Sequence, residues 1–126
     1  MSRAASTSVS DGYRDFVLEQ LRRIAVGVRA RSMFGGVGVY AGELFFALMD
    51  DDTLYLKADD STRGRFEARG MEPFRPGGES GEVMQYYEVP GDVLEDIELL
   101  APWIEEAVAV ADRAKRRRSE RRSKTS

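Results

Sequence analysis

The chain has 126 residues, with a hydrophobic content of 42% and a charged content of 33%, which are ordinary values for one soluble globular domain. It contains no cysteine and no histidine, so a disulfide framework, a thiolate metal site and the most common general base are excluded. No apolar run approaches about 18 residues and no apolar signal-peptide core opens the chain, so we expect a cytoplasmic protein without membrane contacts.

The charge is distributed unevenly along the chain. Residues 113–126 contain eight Lys and Arg side chains and one glutamate, a net charge of +7, whereas residues 1–112 have a net charge of −10. We therefore expect a disordered N-terminus at residues 1–10, one folded domain at residues 11–112 and a basic tail at residues 113–126. The tail has three interpretations: a solubilising helix end, a contact with the acidic body, or a weak, non-specific contact with nucleic acid. The candidate nucleic-acid contacts are Arg113, Lys115, Arg116, Arg117, Arg118, Arg121, Arg122 and Lys124.

The first predicted element is an amphipathic helix that begins after the polar N-terminus. Asp11 is its predicted N-cap. Apolar residues recur at helical spacing up to Val28, and most charged residues lie on the opposite side. We therefore expect this helix to end near Val28.

Three strands are expected next, in the segments SMFGGVGVY, LFFALM and TLYLK. The connectors between them, residues 41–43 and 50–52, are too short for crossovers, so the strands should be antiparallel neighbours. LFFALM is apolar without alternation, which is typical of a central strand covered on both sides. In TLYLK, the two leucines should share one face and the tyrosine and lysine the other.

Residues 36–41 match G-x-G-x-x-A, one form of the dinucleotide-binding fingerprint. That fingerprint requires a strand before the glycines and a helix that starts at them. Here a helix precedes the glycines and a strand follows, so the segment is interpreted as a strand and not as a phosphate loop. Glycines inside a strand indicate a bulge, a sharp bend or the close approach of another backbone. We expect Gly36 or Gly38 to occupy a bulge or a conformation with positive φ.

The segment after the third strand predicts a short second helix, capped by Asp59 or Asp60 and stopped by Gly70. MEPFRP is expected to form a short edge strand, since Pro73 cannot donate a hydrogen bond within a sheet. GGESGE should be a flexible loop, and VMQYYEV alternates as a further strand does.

The last segment predicts a helix. Pro102 is disfavoured in a helix interior, so we expect a short first turn and a main helix that begins near Ala101. Trp103 should anchor this helix on the sheet. The resulting order is α-β-β-β-α-β-β-α, which predicts a two-layer α+β domain with a mainly antiparallel five-stranded sheet and helices packed on it.

Several polar and aromatic residues have both a structural and a functional interpretation. Tyr55, Tyr86 and Tyr87 suit cross-strand packing, and the alternative is an aromatic surface for a partner or for base stacking. The aspartates at 50–52 fit a solvated turn better than a hard-cation site. Arg31 is expected to form a salt bridge with the second helix.

Together these motifs resemble the N-terminal domain of the TfoX/Sxy family of competence regulators, over about residues 13–114. The matching positions are Arg31, Met33, Phe34, Gly35, Gly36 and Gly38 on R-x-M-F-G-G-x-G, Leu54, Tyr55, Leu56 and Lys57 on L-Y-L-K, and Tyr87 and Pro90 on Y-x-x-P. Met33 and Phe34 are interpreted as core residues in preference to contact residues. The resemblance implies a secretion-chaperone-like fold, in agreement with the order of elements above.

The resemblance also implies a role in the transcriptional control of DNA uptake. Full-length family members carry a second, helical domain, whereas only a basic tail follows here, so we expect a partner-binding module with its own targets. The favoured function is a non-catalytic regulatory or protein-interaction domain, without a cofactor or metal, with an unidentified protein partner and with homo-oligomerisation left open. The first alternative is a nucleic-acid-binding accessory protein that uses the basic tail. The remaining one is an enzyme that uses only carboxylates, Lys57 and tyrosines.

Overall fold

Five antiparallel strands and four helices form the part of the chain that the computed structural model describes, residues 9–33, 35–75 and 85–125. The helices are α1 (Asp11–Arg22), α2 (Arg63–Ala68), α3 (Gly91–Leu94) and α4 (Ile97–Thr125). The strands are β1 (Val28–Met33), β2 (Gly36–Ala41), β3 (Leu44–Asp50), β4 (Thr53–Lys57) and β5 (Tyr86–Glu88). Within those ranges, none of the helices has the length and apolarity needed to cross a bilayer.

The strands form one sheet in the order β1-β2-β3-β4-β5, and every neighbouring pair is antiparallel. The predicted α+β class and five-stranded antiparallel sheet are confirmed, and β3, from LFFALM, lies at the centre as expected. The sheet has four strands before α2 and one after it, whereas three strands before this helix and two after it were predicted.

Two local features explain this difference in distribution. The segment RSMFGGVGVY is a hairpin of two strands, because Gly35 has a φ of 80° and Met33 pairs with Gly36. The segment around Pro73 makes an isolated bridge to Tyr87, in which the N–H groups of Phe74 and Glu88 donate and the position of the missing proline N–H faces away from β5. Its predicted position at an edge is confirmed, beside the outer edge of β5.

Helix α1 is shorter than predicted and begins one residue earlier. Its N-cap is Ser10 and not Asp11, because the Ser10 hydroxyl accepts a 3.3 Å hydrogen bond from the Tyr13 N–H while Asp52 holds Ser10 in place. The helix ends at Arg22, and Gly27, with a φ of 73°, reverses the chain into β1. Val28, expected near the end of the helix, is therefore the first residue of that strand.

Asp59 organises the turn before α2, but it is not the N-cap of that helix. The Asp59 carboxylate accepts hydrogen bonds from the N–H and hydroxyl of Ser61, and the N-cap is Thr62, whose side chain makes no capping bond. Gly70, with a φ of 74°, follows the C-cap of α2, which confirms its predicted role as the stop signal.

Helix α4 begins at Ile97, earlier than the predicted start near Ala101. The Asp96 carboxylate accepts hydrogen bonds from the N–H groups of Glu98 and Leu99, which caps the helix upstream of the proline. Pro102 is accommodated inside α4 close to its start. The short helix α3 occupies the position at which a separate first turn, before the main helix, was expected.

The core lies between one face of the sheet and helices α1, α2 and α4. A bulge in β3 adds to it: Val39 pairs with Ala47 but Tyr40 pairs with Phe45, so Phe46 is the extra residue. Phe46 and Ala47 are both fully buried in the core cluster, which a regular strand would not allow for consecutive residues.

Some sequence predictions fall outside the described residues. These are the disorder of residues 1–8, the conformation of Phe34, the GGESGE loop and the first two residues of VMQYYEV. Ser10, at the end of the segment expected to be disordered, is instead hydrogen-bonded to Asp52 and caps α1.

Candidate functional site

The face of the sheet opposite the helices carries aromatic and cationic side chains from all five strands. We call it the second face; it is formed by Arg29, Arg31, Met33, Gly38, Tyr40, Phe45, Leu48, Tyr55, Lys57, Tyr86 and Glu88. Side chains alternate along a strand, so the residues between these, such as Val39 and Leu56, point into the core. Phe74, from the segment beside β5, packs onto this face against Leu48 and Tyr86.

One row of the second face crosses the sheet from edge to edge. The guanidinium of Arg29 lies 4.7 Å from the ring centre of Tyr40, and this ring stacks on that of Phe45 at 5.0 Å. Phe45 contacts Tyr86 at 5.5 Å, and the ammonium of Lys57 lies 5.0 Å from the Tyr86 ring centre. A cation over a ring stabilises an exposed site by about 0.5–1 kcal/mol. This cation–aromatic row therefore has a cation packed on a ring at each end and stacked or tilted rings between them.

The three tyrosines considered for packing or base stacking all pack against other rings. Tyr87 lies on the helical side of the sheet, stacked on Phe66 at 5.5 Å, and Tyr55 contacts Phe74 at 5.0 Å. Tyr86 is buried, and this burial raises the pKa of its hydroxyl well above the ordinary value. Their positions match the cross-strand packing interpretation, and neither Tyr86 nor Tyr87 exposes a ring to solvent.

The two glycines of β2 serve close packing. Neither has a positive φ, and the bulge follows Val39, so the prediction of a bulge or positive φ at Gly36 or Gly38 is wrong. A Cβ on Gly36 would overlap the backbone carbonyl oxygen of Met49, and one on Gly38 would lie 2.6 Å from the Cε of Met33. The segment is a strand without a following helix, which confirms that the dinucleotide fingerprint does not apply here.

The other residues of the R-x-M-F-G-G-x-G motif lie around this hairpin. Arg31 is exposed on the second face, away from α2, so the expected salt bridge to the second helix is absent from the described residues and that prediction is wrong. Met33 is half-buried beside Gly38 on the second face and belongs to neither core cluster, so its interpretation as a core residue is wrong, and Phe34 lies outside the described residues. Gly35 forms the turn.

The L-Y-L-K segment divides between the two faces as predicted. Leu54 and Leu56 are buried in the core, whereas Tyr55 and Lys57 lie on the second face. Burial lowers the pKa of the Lys57 ammonium, and the nearby charges of Arg118 and Arg117 lower it further. Pro90, at the end of the Y-x-x-P motif, is buried and forms the N-cap of α3.

The basic tail is the C-terminal half of α4, and its first cations are paired with acids. Arg113 donates to Asp59 at 2.9 Å, and Lys115 donates to Glu43 at 2.9 Å. Arg116 pairs with Asp112 one turn earlier in the same helix. The interpretation in which the tail contacts the acidic body therefore holds for the first turn of residues 113–125.

The acidic segment at 50–52 is a tight hairpin turn between β3 and β4. Asp51 and Asp52 have φ values of 53° and 50°, as a two-residue turn of this kind requires. Asp52 accepts the hydrogen bonds from Ser10, so the turn also holds the start of α1. Within residues 9–33, 35–75 and 85–125, no cluster of three acidic ligands suited to a metal ion occurs.

Sequence reasoning missed Arg29, Tyr40 and Phe45, which are three of the five residues of the cation–aromatic row. The signal for Arg29 was the alternation in VRARSM, which places two arginines on one face of an edge strand. That alternation was hidden because the first helix was extended over Val28. The contribution of Phe74 could not be read from the sequence, since it depends on how the chain returns to β5.

Comparison with known proteins identifies the domain. The TfoX N-terminal domain matches residues 19–111, which is most of the chain and includes every strand of the sheet. A segment of 45 residues is 42% identical to the DNA transformation protein TfoX1 of Aliivibrio fischeri, covering 36% of this chain and 22% of that protein. The match thus spans about a fifth of the length of that relative.

The residues that the family match covers include the glycine-rich hairpin of β1 and β2 and the L-Y-L-K strand described above. The match extends from the middle of α1 to the part of α4 that packs on the sheet. This chain therefore belongs to the TfoX N-terminal domain family.

Proposed function

We propose that this protein is a non-catalytic regulatory domain that acts in the control of DNA uptake, including its transcriptional control, through contacts with a protein partner in the cytoplasm. The observation that carries this proposal is the match to the TfoX N-terminal domain over residues 19–111. The name of the relative from Aliivibrio fischeri, a DNA transformation protein, supports the link to competence. The absence of histidine and cysteine from the sequence supports a binding role in preference to catalysis.

The second face is the surface that we assign to the partner. Arg29 and Arg31 lie two residues apart on the edge strand β1, on the same face of the sheet and both exposed, so their Cα atoms are about 7 Å apart. An extended partner segment with acidic side chains at alternate positions would match this spacing. Charge complementarity of this kind sets specificity and the rate of association.

The proposal is tested by transformation and capture experiments in the native organism. A strain that lacks the gene is complemented with wild type, Arg31→Glu or Arg22→Glu, the last being an exposed arginine on α1 and a matched charge reversal. We expect wild type and Arg22→Glu to restore DNA uptake and to capture the same partner, and Arg31→Glu to do neither. Normal transformation without the gene would contradict the regulatory role, and a partner retained by Arg31→Glu would contradict the assigned surface.

A second candidate function is nucleic-acid binding by the C-terminal half of α4. It is favoured by the exposure of Arg117 and Arg118, which lie beyond the cations paired with Asp59, Glu43 and Asp112. The acidic body opposes this binding, so we expect it to be weak and indifferent to base sequence.

The sequence left open whether two copies of the chain associate. Sedimentation of the full chain tests this.

A further inference from the structure

A small cavity lies where α4 crosses the end of the sheet, next to the cation–aromatic row. Its volume is about 100 Å³, several times the roughly 30 Å³ that one water molecule occupies in the liquid. Four apolar residues, Leu44 and Phe45 of the sheet and Ala111 and Ala114 of α4, line part of the wall, and four charged side chains complete the lining. The cavity shares Phe45 and Lys57 with the second face, but the exposed arginines of β1 do not line it.

The charged lining has an excess of two positive charges. Lys57, Lys115 and Arg118 are the cations, and Glu43 is the carboxylate. Lys115 is paired with Glu43 at 2.9 Å, whereas among the described side chains neither Lys57 nor Arg118 forms an ion pair with an acid. Among the described residues, the cavity thus has one ion pair, Lys115 with Glu43, and two cations that lack an acidic partner within salt-bridge distance.

These two cations are close enough to disfavour each other. Lys57 is half-buried, and burial and the charges of Arg118 and Arg117 lower its pKa, with only Asp59 acting in the opposite direction. The Tyr86 ring beneath its ammonium fixes the orientation of Lys57. An anion in the cavity would offset the repulsion between Lys57 and Arg118. It would also stabilise the Lys57 ammonium in place of the water that burial excludes.

We propose that this cavity is a binding site for a phosphate-sized dianion, held by Lys57, Lys115 and Arg118. The two unbalanced positive charges match the charge of a phosphate group, and the arginine provides the planar donor fork that suits phosphate oxygens. The apolar wall at Phe45 limits competition from water. Glu43 opposes anion binding, because its carboxylate accepts a hydrogen bond from Lys115 and repels an incoming anion.

The site is tested by calorimetric titration of the full chain with inorganic phosphate at constant ionic strength. We expect binding by wild type, a loss of affinity of about tenfold or more in Arg118→Gln and in Lys57→Gln, and tighter binding in Glu43→Gln. Arg116→Gln is the matched control, since it removes the same charge from the same helix but its partner is Asp112, outside the cavity. Melting temperatures check that each variant is folded.

The source of the phosphate is distinguished by a second titration with a short single-stranded oligonucleotide. If inorganic phosphate competes with the oligonucleotide and Arg118→Gln weakens both, the site takes backbone phosphate. If inorganic phosphate binds and the oligonucleotide does not, the site takes a free phosphate or a small phosphorylated molecule. The proposal is overturned if neither ligand binds, or if Arg116→Gln weakens binding as much as Arg118→Gln does.

Discussion

Arg113 of α4 donates a 2.9 Å hydrogen bond to the carboxylate of Asp59, which lies 54 residues earlier in the turn before α2. The same carboxylate accepts two hydrogen bonds from Ser61. Burial alone would raise the pKa of Asp59, but the hydrogen bonds from Ser61 and Arg113 and the charge of Arg113 outweigh it and lower this pKa to about 2. The start of the basic segment is thus joined to the body by a contact that acid should break.

We expect this contact to make stability depend on pH in the acid range. A carboxyl group with a lowered pKa stabilises the fold above its unfolded-state pKa of about 4 and loses this contribution as the pH falls through about 2. Wild type should therefore lose up to about 2 kcal/mol relative to Asp59→Asn between about pH 5 and pH 2. Urea unfolding at several pH values measures the difference. Asp60→Asn is the control, because Asp60 is 88% exposed and its pair with Arg63 should contribute little.

Substitution of Gly36 should destabilise the protein strongly. In Gly36→Ala the new methyl group would overlap the backbone carbonyl of Met49 in the neighbouring strand, so the strands must separate, and we expect a cost of about 2 kcal/mol or more. Gly64→Ala is the control, since nothing lies within 4 Å of its Cβ position and alanine favours the helix by about 0.5–1 kcal/mol. Thermal unfolding of both variants should shift in opposite directions, and a neutral Gly36→Ala would contradict the close approach of β2 and β3.

Trp103 should stabilise the packing of α4 through its contact with α2. Its ring meets Phe66 edge to face at 5.0 Å, with the guanidinium of Arg65 5.2 Å from its ring centre, and it is half-buried. We expect Trp103→Ala to cost about 2–3 kcal/mol in unfolding free energy, less than the loss of a fully buried aromatic residue. Leu99→Ala on the same helix should cost under about 0.5 kcal/mol, because Leu99 is 49% exposed. Equal costs would place Trp103 outside the packing between the helices.

Truncation after Ala114 should leave the fold intact and abolish binding to duplex DNA. The apolar residues of α4 that pack on the core end before this point, and the pair between Lys115 and Glu43 is exposed, so the melting temperature should change little. For the full chain, the slope of log affinity against log salt should be smaller in magnitude than about 7, the limit for eight neutralised phosphates, because Arg113 and Arg116 already have acidic partners. Tight binding by the truncated chain would place the nucleic-acid contact on the folded domain.

The sequence by itself determined the fold class, the family and the hairpin connections. Alternating and continuous apolar patterns reflect which faces of a strand are covered, so LFFALM could be predicted as the central strand and Leu54 and Leu56 as core residues. Short connectors allow only antiparallel neighbours, which determined the meander around residues 41–43 and 50–52. These properties depend on residues that are close together in the chain.

Only the tertiary structure decided how distant residues combine. Whether Gly36 forms a bulge or allows close approach of two strands depended on the position of Met49 in the neighbouring strand. The position of Arg31 on an edge strand depended on where helix α1 ends. The cavity at Lys57 exists because α4 continues past the sheet and brings Arg118 to the same cavity, although the two residues are 61 positions apart in the chain. Local patterns report burial and backbone preference, whereas the charge and shape of a site depend on the packing of elements that the chain order does not specify.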